Sequence, residues 1–110
     1  MFEEKLKLYD SIINQCTEFN RLGKGMPHTA TNTYMFSMLN KAGEIGIRLS
    51  KEDQESFCEK HNTGAFKSYG SVIKDYVLVP DSVLNEIDLV VLYFTKSFIY
   101  TNTLKAQPRK

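Results

Sequence analysis

Ser71-Val72-Ile73-Lys74-Asp75-Tyr76-Val77-Leu78-Val79-Pro80-Asp81-Ser82-Val83-Leu84 reads as a strand that stops at a proline and turns directly into a helix. Val72, Tyr76, Val77 and Val79 are β-branched or aromatic, which suits a pleated, half-buried surface. Pro80 has no N–H for a ladder, so the strand ends there. Asp81 or Ser82 is placed to cap the free N–H groups of the helix that follows. That helical region runs over about 81–104, with a break expected near 85–88. Leu89, Leu92, Tyr93, Lys96, Ile99, Tyr100 and Thr103 trace one stripe, and Val90, Val91, Phe94 and Phe98 widen it. A face this broad predicts a helix that covers the sheet and also meets a second copy of the chain. Residues 105–110 form a polar, basic tail expected to be disordered. The rest, 1–104, is expected to be one domain.

Upstream, Ala65, Phe66 and Tyr69 lead through Gly70 into the strand. Before them, Ser50 followed by Asp53 resembles a capping box and opens a short helix over 51–60, closed by Asn62-Thr63-Gly64. Tyr34–Leu39 and Glu44–Leu49 read as two strands joined by Lys41-Ala42-Gly43. Ile45, Ile47 and Leu49 alternate with Glu44, Gly46 and Arg48, which gives an antiparallel hairpin with one buried face. Residues 21–33 have no apolar period and carry Gly23, Gly25 and Pro27, so they read as a connector. Long connectors in small domains are often functional, which makes this one a candidate site. Residues 2–19 read as an amphipathic helix with Phe2, Leu6, Tyr9, Ile13 and Cys16 on one face, Ile12 beside them, and early glutamates at its positive end. The fold class is therefore α+β. Two layers are expected: an antiparallel sheet of about four to five strands, a helix at each terminus and a short helix between strands.

The 110 residues carry fourteen Lys and Arg against thirteen Asp and Glu, a net charge of +1. That balance disfavours a strong nucleic-acid binder, which usually carries a basic excess. A chain of this length buries about 65% of its unfolded surface, enough for a core without metal or disulfide staples. Phe2-Glu3-Glu4-Lys5 lacks the basic n-region and apolar run of a secretory leader, so none is expected, and no window is apolar enough to span a membrane. Cys16 and Cys58 are far apart and not in a CxxC pair, so a cytoplasmic protein with reduced thiols is expected.

No residue pattern names a chemistry. Cys58 and His61 share a helix face at i, i+3. The remaining ligands, Cys16 and His28, form no second close pair, so neither a metal nor a cofactor is expected. Ser, His and Asp occur in no nucleophile elbow, and no catalytic set is assigned. Gly23-Lys24-Gly25, with Arg21, offers backbone N–H groups and cations to an anion, although the segment precedes a strand and not a helix. Lys67, Lys74, Lys105, Arg109 and Lys110 are the candidates for a local basic patch, with Tyr69 and Tyr76 as base-stacking candidates. Arg21, Lys24, His28 and Lys74 are the candidate ligand or nucleic-acid contacts.

The order of elements and two short motifs resemble the N-terminal domain of the TfoX/Sxy family, regulators of DNA transformation (natural competence). Lys24 and Met26 resemble the start of its first signature, with Pro27-His28-Thr29 in place of Phe-Gly-Gly. Ile73-Lys74-Asp75-Tyr76-Val77 resembles its second, with Asp75 in place of glycine. Tyr100 stands where the family's last helix carries an aromatic. The resemblance spans nearly the whole chain, without the family's separate C-terminal helical domain. It implies an α+β, often dimeric domain with no catalytic set. The expectation is a non-enzymatic regulatory or protein-interaction module, a homodimer with a protein partner in the transcription machinery. The alternatives are nucleic-acid binding through a local basic patch, and a small-ligand or enzymatic site at the 21–33 connector.

Overall fold

Alternation along the hairpin and the 71–79 strand sorts side chains onto two faces, and the architecture follows from it. The computed structural model of the chain describes residues 2–16, 18–23, 26–68 and 70–106. The elements are α1 (Phe2–Asn14), β1 (His28–Thr31), β2 (Tyr34–Leu39), β3 (Ile45–Arg48), α2 (Lys51–His61), β4 (Ala65–Ser68), β5 (Ser71–Val79), α3 (Asp81–Leu84) and α4 (Ile87–Asn102). The chain is α+β, with one five-stranded sheet in the order β1-β2-β3-β5-β4. Every neighbouring pair is antiparallel. Ile45 pairs with Val79 and Ile47 with Val77, so these four point to one face. There they pack with Tyr9, Ile12 and Ile13 of α1, Phe57 of α2, Val83 and Leu84 of α3, and Val90 and Phe94 of α4. All four helices thus close a single face of the sheet.

The opposite face is closed by the sheet itself. In β5 the register against β4 slips between the Ala65–Val77 and Lys67–Val72 pairs, so the strand bulges across 73–76. Asp75 sits inside that bulge with φ 69°, a left-handed conformation that Asp tolerates better than most residues. Its carbonyl is used: the Leu49 N–H donates to it at 3.0 Å. The bend brings β4 over the hairpin, where Phe66, Met38 and Tyr76 form a second small core. Gly46 permits this. A Cβ there would lie 2.3 Å from the Phe66 ring. Arg48 ties the same face together. Its guanidinium lies 5.3 Å from the Tyr34 ring centroid and 5.2 Å from that of Tyr76. Its Nε donates to the Met35 carbonyl, and Asp75 lies 3.6 Å from Nη1.

A second bulge, on β2, turns two consecutive residues inward. Thr29 pairs with Ser37 and Ala30 with Met35, which leaves Phe36 as the extra residue. Phe36 and Ser37 are both fully buried. Phe36 meets Phe19 edge-on at 4.8 Å and Phe98 at 5.6 Å. Ser37 hydrogen-bonds the Tyr9 hydroxyl at 2.6 Å and the Thr29 hydroxyl. From α4, the Ser97 hydroxyl reaches the carbonyls of Phe36 and Arg48.

Four expectations need correcting. The 21–33 connector holds a strand, β1, and Leu22 extends its pairing through two backbone bonds to His28. α1 ends at Asn14, well before residue 19. Tight turns at Gln15 and Cys16 redirect the chain so that Phe19 enters the core. Neither Asp81 nor Ser82 caps α3. Pro80 is the N-cap, its carbonyl accepts from Val83 and Leu84, and Asp81 pairs with Lys5 at 2.6 Å. Finally, α4 buries Val90, Phe94, Ser97 and Thr101, so the inward stripe is rotated from the expected one, and Leu92 and Ile99 face out. The tail expected over 105–110 lies partly outside the described residues, which end at 106.

The β1–β2 turn is Asn32-Thr33, with φ 51° and 70°. Positive φ at both central residues is the mirror-image turn that matches strand twist. The Asn32 side-chain amide also donates to the carbonyls of Thr101 and Leu104, closing the C-terminal end of α4. Threonine, however, is β-branched and strained in this conformation.

Candidate functional site

The described candidate contact residues, Arg21, His28 and Lys74, do not converge on one cavity. Arg21 is turned to α1, with its Nε 2.6 Å from Asp10 Oδ1 and Nη1 donating to the Gly23 carbonyl. His28 sits in β1, and its Nδ1 donates to the Met26 carbonyl at 3.0 Å. A carbonyl only accepts, so Nδ1 carries the proton and the other ring nitrogen is the accepting one in the neutral form. Lys74 is exposed on β5. Lys24 and Gly25 lie outside the described residues, as do Tyr69, Arg109 and Lys110 of the suggested basic patch. Tyr76 is only 2% exposed. It stacks on Phe66 and takes Arg48 against its ring, so in this conformation it offers no face to a base.

Of the Cys58 and His61 pair, His61 is engaged with other side chains. His61 Nε2 lies 2.9 Å from the Tyr93 hydroxyl, and its ring packs on Phe57. Burial and then the neighbouring Lys60 charge lower its pKa, which favours the neutral ring. Among the described residues, no group of three or more His, Cys, Asp or Glu is arranged to hold a metal ion. Cys16 and Cys58 are free thiols. Burial raises the pKa of both, and for Cys16 the Glu18 charge adds to it, so both stay protonated and weakly nucleophilic. Tyr9 and Tyr76 are likewise held neutral, chiefly by burial. No helix among the described residues is long and apolar enough to cross a membrane.

Two features remain as candidate sites. The first is the outer face of α4. Asp88 and Lys96 are the charged residues in a helix that otherwise reads Ile-Asp-Leu-Val-Val-Leu-Tyr-Phe-Thr-Lys-Ser-Phe-Ile-Tyr-Thr-Asn. Leu92 is 60% and Ile99 59% exposed on the outward side. Lys96, between them, leans away toward Asp53 at 3.3 Å. A helix packed on one side only needs one apolar stripe, so this one is more apolar than the fold requires.

The second is a cavity of about 330 Å³ bounded by Met26, the turn from Asn40 to Glu44, and Lys67, Ser68 and Gly70 of the β4–β5 hairpin. It exists because the bent hairpin lies across the sheet: the Asn40 amide donates to the Lys67 carbonyl at 2.9 Å and to Glu44 Oε1 at 3.0 Å. The 21–33 connector thus reaches a cavity through Met26. Opposite stands Lys67, while Arg21, His28 and Lys74 are not among the lining residues. A smaller cavity of about 260 Å³ lies on the far side of the same turn, crossed by the Lys5–Asp81 pair. Sequence reading had no signal for Asn40 or Ser68, because only the bend at Asp75 brings them together. No family model matches the chain, and no curated protein or solved structure matches it significantly, so what it does is read from its own side chains.

Proposed function

We propose that this chain is a non-enzymatic regulatory or protein-interaction module of the cytoplasm that self-associates through α4. The proposal includes a role with protein partners in transcription or DNA transformation, as the resemblance to the TfoX/Sxy N-terminal domain implies. Two features support that resemblance. The elements run helix, three strands, helix, two strands, helices, which contains the expected helix, hairpin, short helix, strand and closing helical region, with β1 and β4 in addition. Asp75, which stands where the resembled motif has glycine, has φ 69°, a conformation glycine adopts without strain. The free thiols suit a reducing compartment.

The observation that carries the reading is the pair Leu92 and Ile99, each more than half exposed. They lie one heptad apart on α4, with Thr95 and Lys96 midway. Two such helices packed antiparallel about a two-fold axis at that midpoint bring each Leu92 onto the partner copy's Ile99. A two-fold interface requires this kind of self-complementary patch. Its partial desolvation of four aliphatic side chains favours a reversible dimer. Light scattering across a concentration series tests it. The wild-type chain should move toward twice the monomer mass, and Leu92→Glu/Ile99→Glu should remain monomeric while keeping its circular dichroism. A wild-type chain that stays monomeric at millimolar concentration refutes the self-association.

A further inference from the structure

We infer that the cavity between the β2–β3 turn and the β4–β5 hairpin binds a small organic anion, either a carboxylate or a phosphate monoester. The argument comes from which lining groups are already committed. Asn40 has no donor to spare: its amide nitrogen donates to Lys67 O and Glu44 Oε1, and its Oδ1 accepts from the Glu44 N–H. It shapes the wall and has no donor left for an anion. Glu44 has one carboxylate oxygen engaged by that amide. Among the described lining residues, the groups left over are donors. Lys41 and Lys67 enter none of the ion pairs found among the described residues. Ser68 is only 4% exposed, and its hydroxyl has no hydrogen-bond partner. An unpaired buried hydroxyl is costly, so its persistence beside a cavity needs a reason.

Two lysines, one unpaired hydroxyl and one partly engaged carboxylate belong to the lining residues, which makes the lining net positive and short of acceptors. A small anion supplies them. Met26 and Ala42 add apolar wall, which suits an organic rather than an inorganic ligand. A volume of about 330 Å³ is at the small end of ligand pockets, which limits the ligand to metabolite size. The Ser68 hydroxyl is closed off from solvent in the unliganded chain, so the proposal requires it to turn about χ1 to meet the anion. No hydrogen bond is broken in that rotation, because none is made beforehand.

The site is separate from α4, so it is tested on the Leu92→Glu/Ile99→Glu chain as well as on the wild type. Butyrate and methyl phosphate are titrated while backbone amide resonances are followed, with the melting temperature measured in parallel. Saturable shifts at Asn40, Lys67 and Gly70 are expected with at least one probe, and the responding probe distinguishes carboxylate from phosphate. Ser68→Ala should weaken binding about tenfold, the worth of one hydrogen bond to a charged group. Lys67→Met should weaken it too. The unliganded Ser68→Ala protein should melt no lower than wild type, since it loses a hydroxyl that had no partner. The proposal is overturned if neither probe gives saturable shifts, if Ser68→Ala binds as well as wild type, or if that variant alone is clearly destabilised.

Discussion

Gly46→Ala is expected to destabilise the fold by about 3 kcal/mol, more than a single methyl group would suggest. A Cβ at this position meets three atoms of the Phe66 ring at 2.3, 2.5 and 2.6 Å. Real Cβ contacts do not come that close, so the ring or the strand must move. The ring is fully buried and stacks on Tyr76, which limits sideways escape. Moving β4 outward would strain the bond from Asn40 to the Lys67 carbonyl and open the second core. Alanine's better intrinsic fit to a strand recovers only about 0.5–1 kcal/mol. A steric origin has a further signature. Phe66→Leu alone should be destabilising, yet combined with Gly46→Ala it should cost less than the sum of the two, because the smaller side chain vacates the space. Urea unfolding of both single variants and the double variant measures this. A Gly46→Ala loss below about 1 kcal/mol, or strict additivity, would mean that β4 is not clamped over the hairpin.

Much of the architecture was legible because it rests on local signals. Alternation of Ile45, Ile47 and Leu49 gave the buried face of the hairpin, and all three are fully buried. Ser50 does cap α2 through the Asp53 N–H, and Asn62 does close it in the left-handed conformation. Pro80 does end β5, and the final helical region does break between Leu84 and Ile87. What escaped reading was non-local or polar. A bulge moves a strand's register without leaving a mark in hydrophobic alternation, so the inward turn of Phe36 and Ser37 was invisible. The strand in 28–31 was missed because His-Thr-Ala-Thr has no apolar period; it forms because β2 offers its edge on one side and Leu22 pairs on the other. The cavity was hidden for a related reason. Met26, Asn40 and Ser68 are far apart in the chain, and the strained Asp75 bend that joins them depends on the Leu49 bond and the Arg48 contacts.

The expected α4 stripe follows the large apolar and aromatic residues and leaves out Ser97 and Thr101, yet both are fully buried. The physical reason leads to the second large expected effect. Where the β2–β3 ladder ends, at the Ser37–Ile47 pair, the neighbouring carbonyls of Phe36 and Arg48 turn toward α4. The Ser97 hydroxyl, its single proton shared, stands 3.1 Å from one and 2.5 Å from the other. Ser97→Ala removes that donor from a dry interface, at an expected loss of about 2–3 kcal/mol. Helix propensity pulls the other way, since alanine is the better helix former by a few tenths of a kcal/mol. The two effects therefore differ in sign as well as size, and the sign of the measured change identifies the one that governs. Ser97→Thr keeps the donor and should fall between wild type and Ser97→Ala unless its extra methyl group is crowded. Equilibrium unfolding separates the cases: if Ser97→Ala matches or exceeds wild-type stability, Ser97 is buried only because it is small, and the hydroxyl does not anchor α4 to the bulged edge of β2.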